Sequence, residues 1–330
     1  MRVVALEEHF TIPSAAAKIS AEAKAKRGFV ERVVAPGAKN PLEGLPDIGQ
    51  QRLDLMDKSG ITVQVLSISG PGAELMEGQV GIDIAKEVND GLAKAIQKHP
   101  KRFAGFAHLP LSSPEACAKE LERCVKDLGF VGAIVNGTIN GKFLDDARFA
   151  SVLSMAEQLD VPVYLHPHLP PASVKEAYYS GLPGSAQIAI STAGWGWHSE
   201  TAIHVLRLAY SGALDRHRKL KLIVGHMGEG LPMMLARIDD VSRPHVGHLQ
   251  RPVSEMLLSQ LWLTTSGMFT QPPLLACIQV FGLDRVMFSV DYPYSGNEQG
   301  RKFLDECSLP PVDMAKFCHG TADALLKLKA

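Results

Sequence analysis

Four short apolar runs in this chain each end on a side chain able to bind a metal ion or move a proton, and this repetition constrains the fold more than any other feature. They are Val3-Val4-Ala5-Leu6-Glu7-Glu8-His9, Val161-Pro162-Val163-Tyr164-Leu165-His166, Leu220-Lys221-Leu222-Ile223-Val224-Gly225-His226 and Val286-Met287-Phe288-Ser289-Val290-Asp291. Apolar runs of this kind read as parallel strands covered on both faces. Four further runs (62–67, 103–108, 131–135 and 261–265) take the strand count to eight. Segments of helical character alternate with them, among them 50–59, 80–98, 147–159, 199–211 and 273–281. The triplet Ser113-Pro114-Glu115 opens another helix, with proline at its first position and an acid in its first turn. Eight strands alternating with helices predict a (β/α)8 TIM barrel, one domain spanning residues 1–330. An open doubly wound sheet is the alternative. It is disfavoured because the first strand runs into Glu-Glu-His, where such folds place a glycine-rich phosphate turn.

Two stretches, 28–49 and 169–198, are rich in glycine and proline and read as long loops. Both leave the C-terminal ends of strands, so in a barrel both overhang the same mouth, as lids or binding loops do. The second carries Trp195 and Trp197 and is flanked by His168 and His198, whose roles stay open. The net charge of −1 gives no electrostatic reason to expect nucleic acid or an anionic membrane as partner. No apolar run approaches the length of a membrane span, and the first residues lack the pattern of a signal peptide. Five cysteines form no CxxC pair, and Cys117 and Cys124 share one face of a predicted helix. They are expected to be reduced core residues of a cytoplasmic protein.

Side chains two apart on a strand face the same way. Glu7 therefore shares a face with His9, Tyr164 with His166, Val224 with His226 and Ser289 with Asp291, while Glu8 points oppositely. Turned inward, these faces gather carboxylates and imidazoles at one rim. That donor set suits a divalent ion such as Zn, Mn, Fe or Mg. Each residue alone has a plainer role: a hydrogen-bonded structural histidine, a solvated turn acid for Glu7, a helix cap for Asp291, a first-turn acid for Glu229. The agreement of four strand ends favours the site.

Together Glu7-Glu8-His9, Leu165-His166-Pro167, Gly225-His226-Met227-Gly228-Glu229-Gly230-Leu231-Pro232 and Ser289-Val290-Asp291-Tyr292-Pro293 resemble the amidohydrolase-2 branch of the amidohydrolase superfamily, and within it the γ-resorcylate (dihydroxybenzoate) decarboxylases. Asp127-Leu128-Gly129-Phe130-Val131-Gly132-Ala133 and Val135-Asn136-Gly137 add to the resemblance. It implies one divalent ion (Zn or Mn, with Mg also compatible) on Glu7, His9, His166 and Asp291, and no organic cofactor. It further implies catalysis by Asp291 with the pair His226 and Glu229, contacts of Arg237 and Asn136 with the substrate, and a homodimer or homotetramer. The implied reaction is nonoxidative decarboxylation of a hydroxylated aromatic acid, by ring protonation and then CO2 release. Hydrolytic members of the superfamily begin His-x-His and carry a modified lysine after the fourth strand, whereas this chain has Glu-x-His and Asn136. A mononuclear hydrolase or hydratase acting on a small lactone, amide or unsaturated acid stays open, as does an inactive barrel that binds an aromatic acid.

Overall fold

The computed structural model describes residues 1–29 and 40–329. Eight parallel strands follow one another around a single sheet: β1 Val4–Phe10, β2 Val63–Ile68, β3 Phe103–His108, β4 Gly132–Asn136, β5 Pro162–His166, β6 Lys221–Val224, β7 Leu261–Thr264 and β8 Val286–Met287. Leu6 bridges to Ser289, and the amide of Leu6 donates to the carbonyl of Phe288 at 3.4 Å, so the last strand returns to the first and the sheet closes into a barrel. Strand, helix, neighbouring strand is the order the sequence predicts for a TIM barrel.

The strands are buried along nearly their whole length, as expected where one face meets the barrel interior and the other meets helices. Helix Gly78–Lys98 buries Ile84, Ala85, Val88, Leu92 and Ala93, a stripe at the helical repeat laid against the sheet. Helix Pro114–Lys126 buries Cys117, Leu121 and Cys124 together, the shared face the cysteine spacing predicts. All five thiols are free. Among the described residues no helix is long and apolar enough to cross a membrane.

Several expectations need adjusting. The stretch 169–198 is no open loop: it contains helices Ala172–Tyr179 and Ala186–Ser191, and the next helix already starts at Gly196. The helix expected directly after Glu229 begins only at Leu235, with a short 3-10 turn on either side of Glu229, because His226, Met227, Glu229 and Gly230 all have positive φ. Glu229 is thus not a first-turn acid. The apolar run 286–290 pairs as a strand over only two residues. The other expected loop, 28–49, falls partly outside the described residues; a 3-10 turn, Pro41–Gly44, occupies part of its second half.

Candidate active site

At the C-terminal ends of β1, β5 and β8, one donor atom from each of Glu7, His9, His166 and Asp291 lies within 4.8 Å of the others. His166 Nε2 is 3.3 Å from Glu7 Oε1, and His9 Nε2 is 3.2 Å from Asp291 Oδ1. Strand alternation brings Glu7 and His9 inward together despite a bulge between Ala5 and Glu8. Glu8 turns the other way and fastens the last strand: it accepts from the amides of Val290 at 2.8 Å and Tyr292 at 3.3 Å, on either side of Asp291. Gln64 joins Glu8 to the buried Arg52, whose guanidinium donates to the carbonyls of His9 at 2.5 Å and Asp47 at 2.7 Å.

Glu7 is wholly buried. Its Oε2 accepts from the hydroxyls of Tyr164 and Ser266, and Thr264 stands 2.8 Å from the Tyr164 oxygen. Burial pushes its carboxyl above the usual range, with the neighbouring His226 opposing the shift. Glu7 Oε1 and His9 Nε2 are buried and make no hydrogen bond, although each has an ion-pair neighbour within 3.3 Å. Buried polar atoms are almost always paired, and these two converge with two more donors. A divalent cation would suit these donor atoms and would offset the two carboxylates. Burial holds His166 well below the usual imidazole range, in the neutral form that ligates. Gly225 makes room for this arrangement, since a Cβ there would lie 2.5 Å from Glu7 Oε2.

His226 stands beside the cluster, with Nε2 3.8 Å from Glu7 Oε1 and Nδ1 2.9 Å from Glu229 Oε1. Burial works against its charge, but the carboxylates of Glu229 and Glu7 outweigh it and push the imidazole up to about 10. Burial likewise works against Glu229, which His226 and His198 nevertheless hold below the usual carboxylate range. Glu7, His226, Glu229, Ser266 and Asp291 all have φ between 40° and 69°, the left-handed region that costs a side-chain-bearing residue energy.

Above the cluster opens a cavity walled by Phe29, Leu169 and Trp197, with Asn136, His168, His226, Asp291 and Tyr294 among its polar lining. Asn136 Oδ1, His168 Nε2 and Trp197 Nε1 are buried there without partners. His168 Nδ1 accepts from the Leu169 amide at 2.8 Å, so its Nε2 carries the hydrogen and is a donor. Trp195 is 60% exposed and does not line the cavity. Arg237 does not reach it either. It sits on the exposed side of helix Leu235–Ser242, whose buried residues Leu235 and Ser242 face the protein.

A family model for amidohydrolases matches residues 13–328. The chain belongs to the amidohydrolase family. Gamma-resorcylate decarboxylase from Rhodococcus jostii is 38% identical over 98% of either chain. Among solved structures, 2,6-dihydroxybenzoate decarboxylase in complex with 2,6-dihydroxybenzoate superposes with a TM-score of 0.87 at 36% identity, covering 99% of this chain and all of the other. The dihydroxybenzoic acid decarboxylase from Polaromonas, with bound manganese and the inhibitor 2-nitroresorcinol, gives 0.85 at 34% identity, covering 99% and 98%.

In this amidohydrolase β4 ends in Asn136, so no lysine stands at that rim position. Sequence reasoning missed the hydroxyls that hold Glu7. Tyr164 had a visible signal, since it occupies the inward position two residues before His166. Ser266 and Thr264 had none, because the run Thr264-Thr265-Ser266 where β7 gives way to a turn looks like any strand exit.

Proposed function

We propose that this amidohydrolase is a metal-dependent, nonoxidative decarboxylase of a hydroxylated aromatic acid of the dihydroxybenzoate type. The observation that carries the proposal is the pair of buried atoms without a hydrogen bond, Glu7 Oε1 and His9 Nε2, facing His166 and Asp291 beneath an apolar-walled cavity. The chain's likeness to named decarboxylases along its whole length supports the reaction class.

Direct loss of CO2 from an aryl carboxylate would leave an aryl anion. Protonating the carbon that bears the carboxylate avoids this: a C–H bond forms, the C–C bond then breaks, and its electron pair returns to the ring as CO2 departs. Residues Glu7, His9, His166 and Asp291 would hold the ion, which supplies positive charge for the substrate's oxygens. Asp291 is the proton donor to the ring carbon and regains its proton from solvent afterwards. His226, oriented by its contact with Glu229, turns its Nε2 towards the cluster, where it can donate to the reacting group. Tyr164 and Ser266 fix Glu7 so that its orientation does not change during the reaction. Phe29, Leu169 and Trp197 enclose the ring, and Asn136 and His168 offer an amide and an N–H to its polar substituents.

Manganese or zinc suits the mixed nitrogen and oxygen set, and the manganese in the Polaromonas relative supports the former. A homodimer or homotetramer would cover the exposed apolar side chains of Tyr178, Ile188, Met233 and Val241. Five free thiols favour a cytoplasmic location. The test is a metal assay followed by incubation with hydroxybenzoates in D2O. CO2 release with one deuterium at the vacated carbon is expected. Water addition or hydrolysis without CO2 would refute the proposal.

A further inference from the structure

The pair His226–Glu229 has a third member. His198 Nδ1 lies 2.5 Å from Glu229 Oε2 while His226 Nδ1 lies 2.9 Å from Oε1, so one carboxylate is held between two imidazoles. The rings meet edge-on with centroids 4.7 Å apart. The Glu229 side chain has no solvent exposure. These three groups have the donor types of a metal site, but their contacts are already filled as hydrogen bonds. The other nitrogen of His198, Nε2, is 2.8 Å from the backbone oxygen of Ala193. A carbonyl only accepts, so Nε2 carries a hydrogen. The contact with Glu229 needs one proton more, between Nδ1 and Oε2, so the His198–Glu229 pair holds two protons in all.

We infer that His198 is a positioning residue that completes a His–Glu–His relay. It occupies one oxygen of Glu229 and leaves the other for the Nδ1–H of His226. That fixes which nitrogen of His226 is free to face Glu7 and the cavity. Without His198 the buried Oε2 would lose its hydrogen-bond partner, and the carboxylate could rotate away from His226. The same ring joins two parts of the molecule. Ala193 lines the cavity and lies between helices Ala186–Ser191 and Gly196–Tyr210, so the segment overhanging the mouth is tied to the catalytic pair through His198. The effect on turnover rests on the decarboxylation proposed above; the three-group contact does not.

Three variants of the metal-loaded enzyme test this. In His198→Asn the side-chain amide reaches the place of Nδ1 and still donates to Glu229. In His198→Gln it reaches the place of Nε2 and keeps only the Ala193 contact. His198→Ala keeps neither. The expected kcat loss is about 10- to 100-fold in the Ala and Gln variants, the range for an outer hydrogen-bond partner of a catalytic group. KM, metal content and Tm should stay near wild type, and Asn should restore most of kcat. Wild-type kcat in His198→Ala overturns the inference. So does an equal loss in all three variants that follows Tm or metal content, because that is packing alone. A proton NMR measurement separates this inference from the reaction class. The relay requires a low-field imidazole proton that disappears in both His198→Ala and Glu229→Gln. If that proton is present while the wild type releases no CO2 from any hydroxybenzoate, the relay stands and the decarboxylase reading falls. If it is missing from the wild type, the relay falls.

Discussion

Replacing Asp291 with asparagine separates the residue's two proposed duties, holding the ion and delivering the proton. The substitution is mild for the fold. Asp291 sits at φ 69°, a conformation that asparagine shares with aspartate more readily than other residues do. Its carbonyl accepts from the amides of Tyr294 and Ser295, both at 2.9 Å, and the amides of Val290 and Tyr292 on either side stay pinned to Glu8. None of these backbone contacts uses the Asp291 carboxylate, so the loss in folding stability should be about 1 kcal/mol. Asn also keeps one oxygen in the place of Oδ1, 3.2 Å from His9 Nε2, and with it a neutral ligand. What it cannot supply is an acidic proton. General acid catalysis is worth about 10² to 10⁴ in rate, or roughly 3 to 5 kcal/mol of barrier. CO2 release by Asp291→Asn should therefore fall by at least that range, with Tm nearly unchanged and most of the metal retained. Metal content, Tm and CO2 release measured on one preparation decide the matter. Near-normal turnover by a metal-loaded Asp291→Asn protein would rule out Asp291 as donor and move that role to His226. Activity falling only in step with metal content would make Asp291 a ligand and nothing more.

His166→Ala should abolish stoichiometric metal binding, as read by elemental analysis of the purified protein, and full occupancy in that variant would break the proposed ligand set. Glu8→Ala should destabilise the fold by at least about 1 to 3 kcal/mol in urea denaturation, because it leaves the buried amides of Val290 and Tyr292 and the side-chain amide of Gln64 without their acceptor; a change under about 0.5 kcal/mol would contradict the fastening role. His204 is buried, accepts from the Leu144 amide, and is lowered by burial from 6.5 to about 4. With the folded value depressed, the unfolded chain binds the extra proton first. His204 thus contributes stability that is present above 6.5 and lost as pH falls towards 4, about 2 kcal/mol of it by pH 5. His204→Gln should flatten that part of the stability curve, and an unchanged slope between pH 7 and 5 would count against it.

The apolar runs made the barrel legible, because parallel strands buried on both faces leave little choice of residue. Their polar tips made the rim legible too, since strand alternation alone predicts that Glu7 and His9 face inward and Glu8 outward. The overhanging segment was not legible. Helices Ala172–Tyr179 and Ala186–Ser191 are short and separated by glycines, so no helical repeat had room to show. Arg237 illustrates a second gap: a family motif suggests a role, but which side of helix Leu235–Ser242 meets solvent depends on where that helix starts. The left-handed turns after β6 delay that start, and strings of Gly, Met and Glu do not announce their φ angles. His198 was visible only as a histidine beside a loop, because its partner Glu229 is 31 residues away in sequence.

Left-handed backbone at Glu7, His226, Glu229, Ser266 and Asp291 has a price in folding. At about 1 kcal/mol or more apiece, five such positions amount to a sizeable share of the 5 to 15 kcal/mol by which a typical domain is stable. A lineage selected only for heat resistance would relax these positions, by glycine or by reshaping the turns, and would lose the geometry that makes the rim reactive. The barrel's deep, continuous core is then the reserve that lets the mouth remain tense. An ion bound there would draw the loops after β1, β5 and β8 together, so that filling the site and keeping the rim folded become one equilibrium. Engineering the two properties separately will fail at these five residues and succeed on the outer helices.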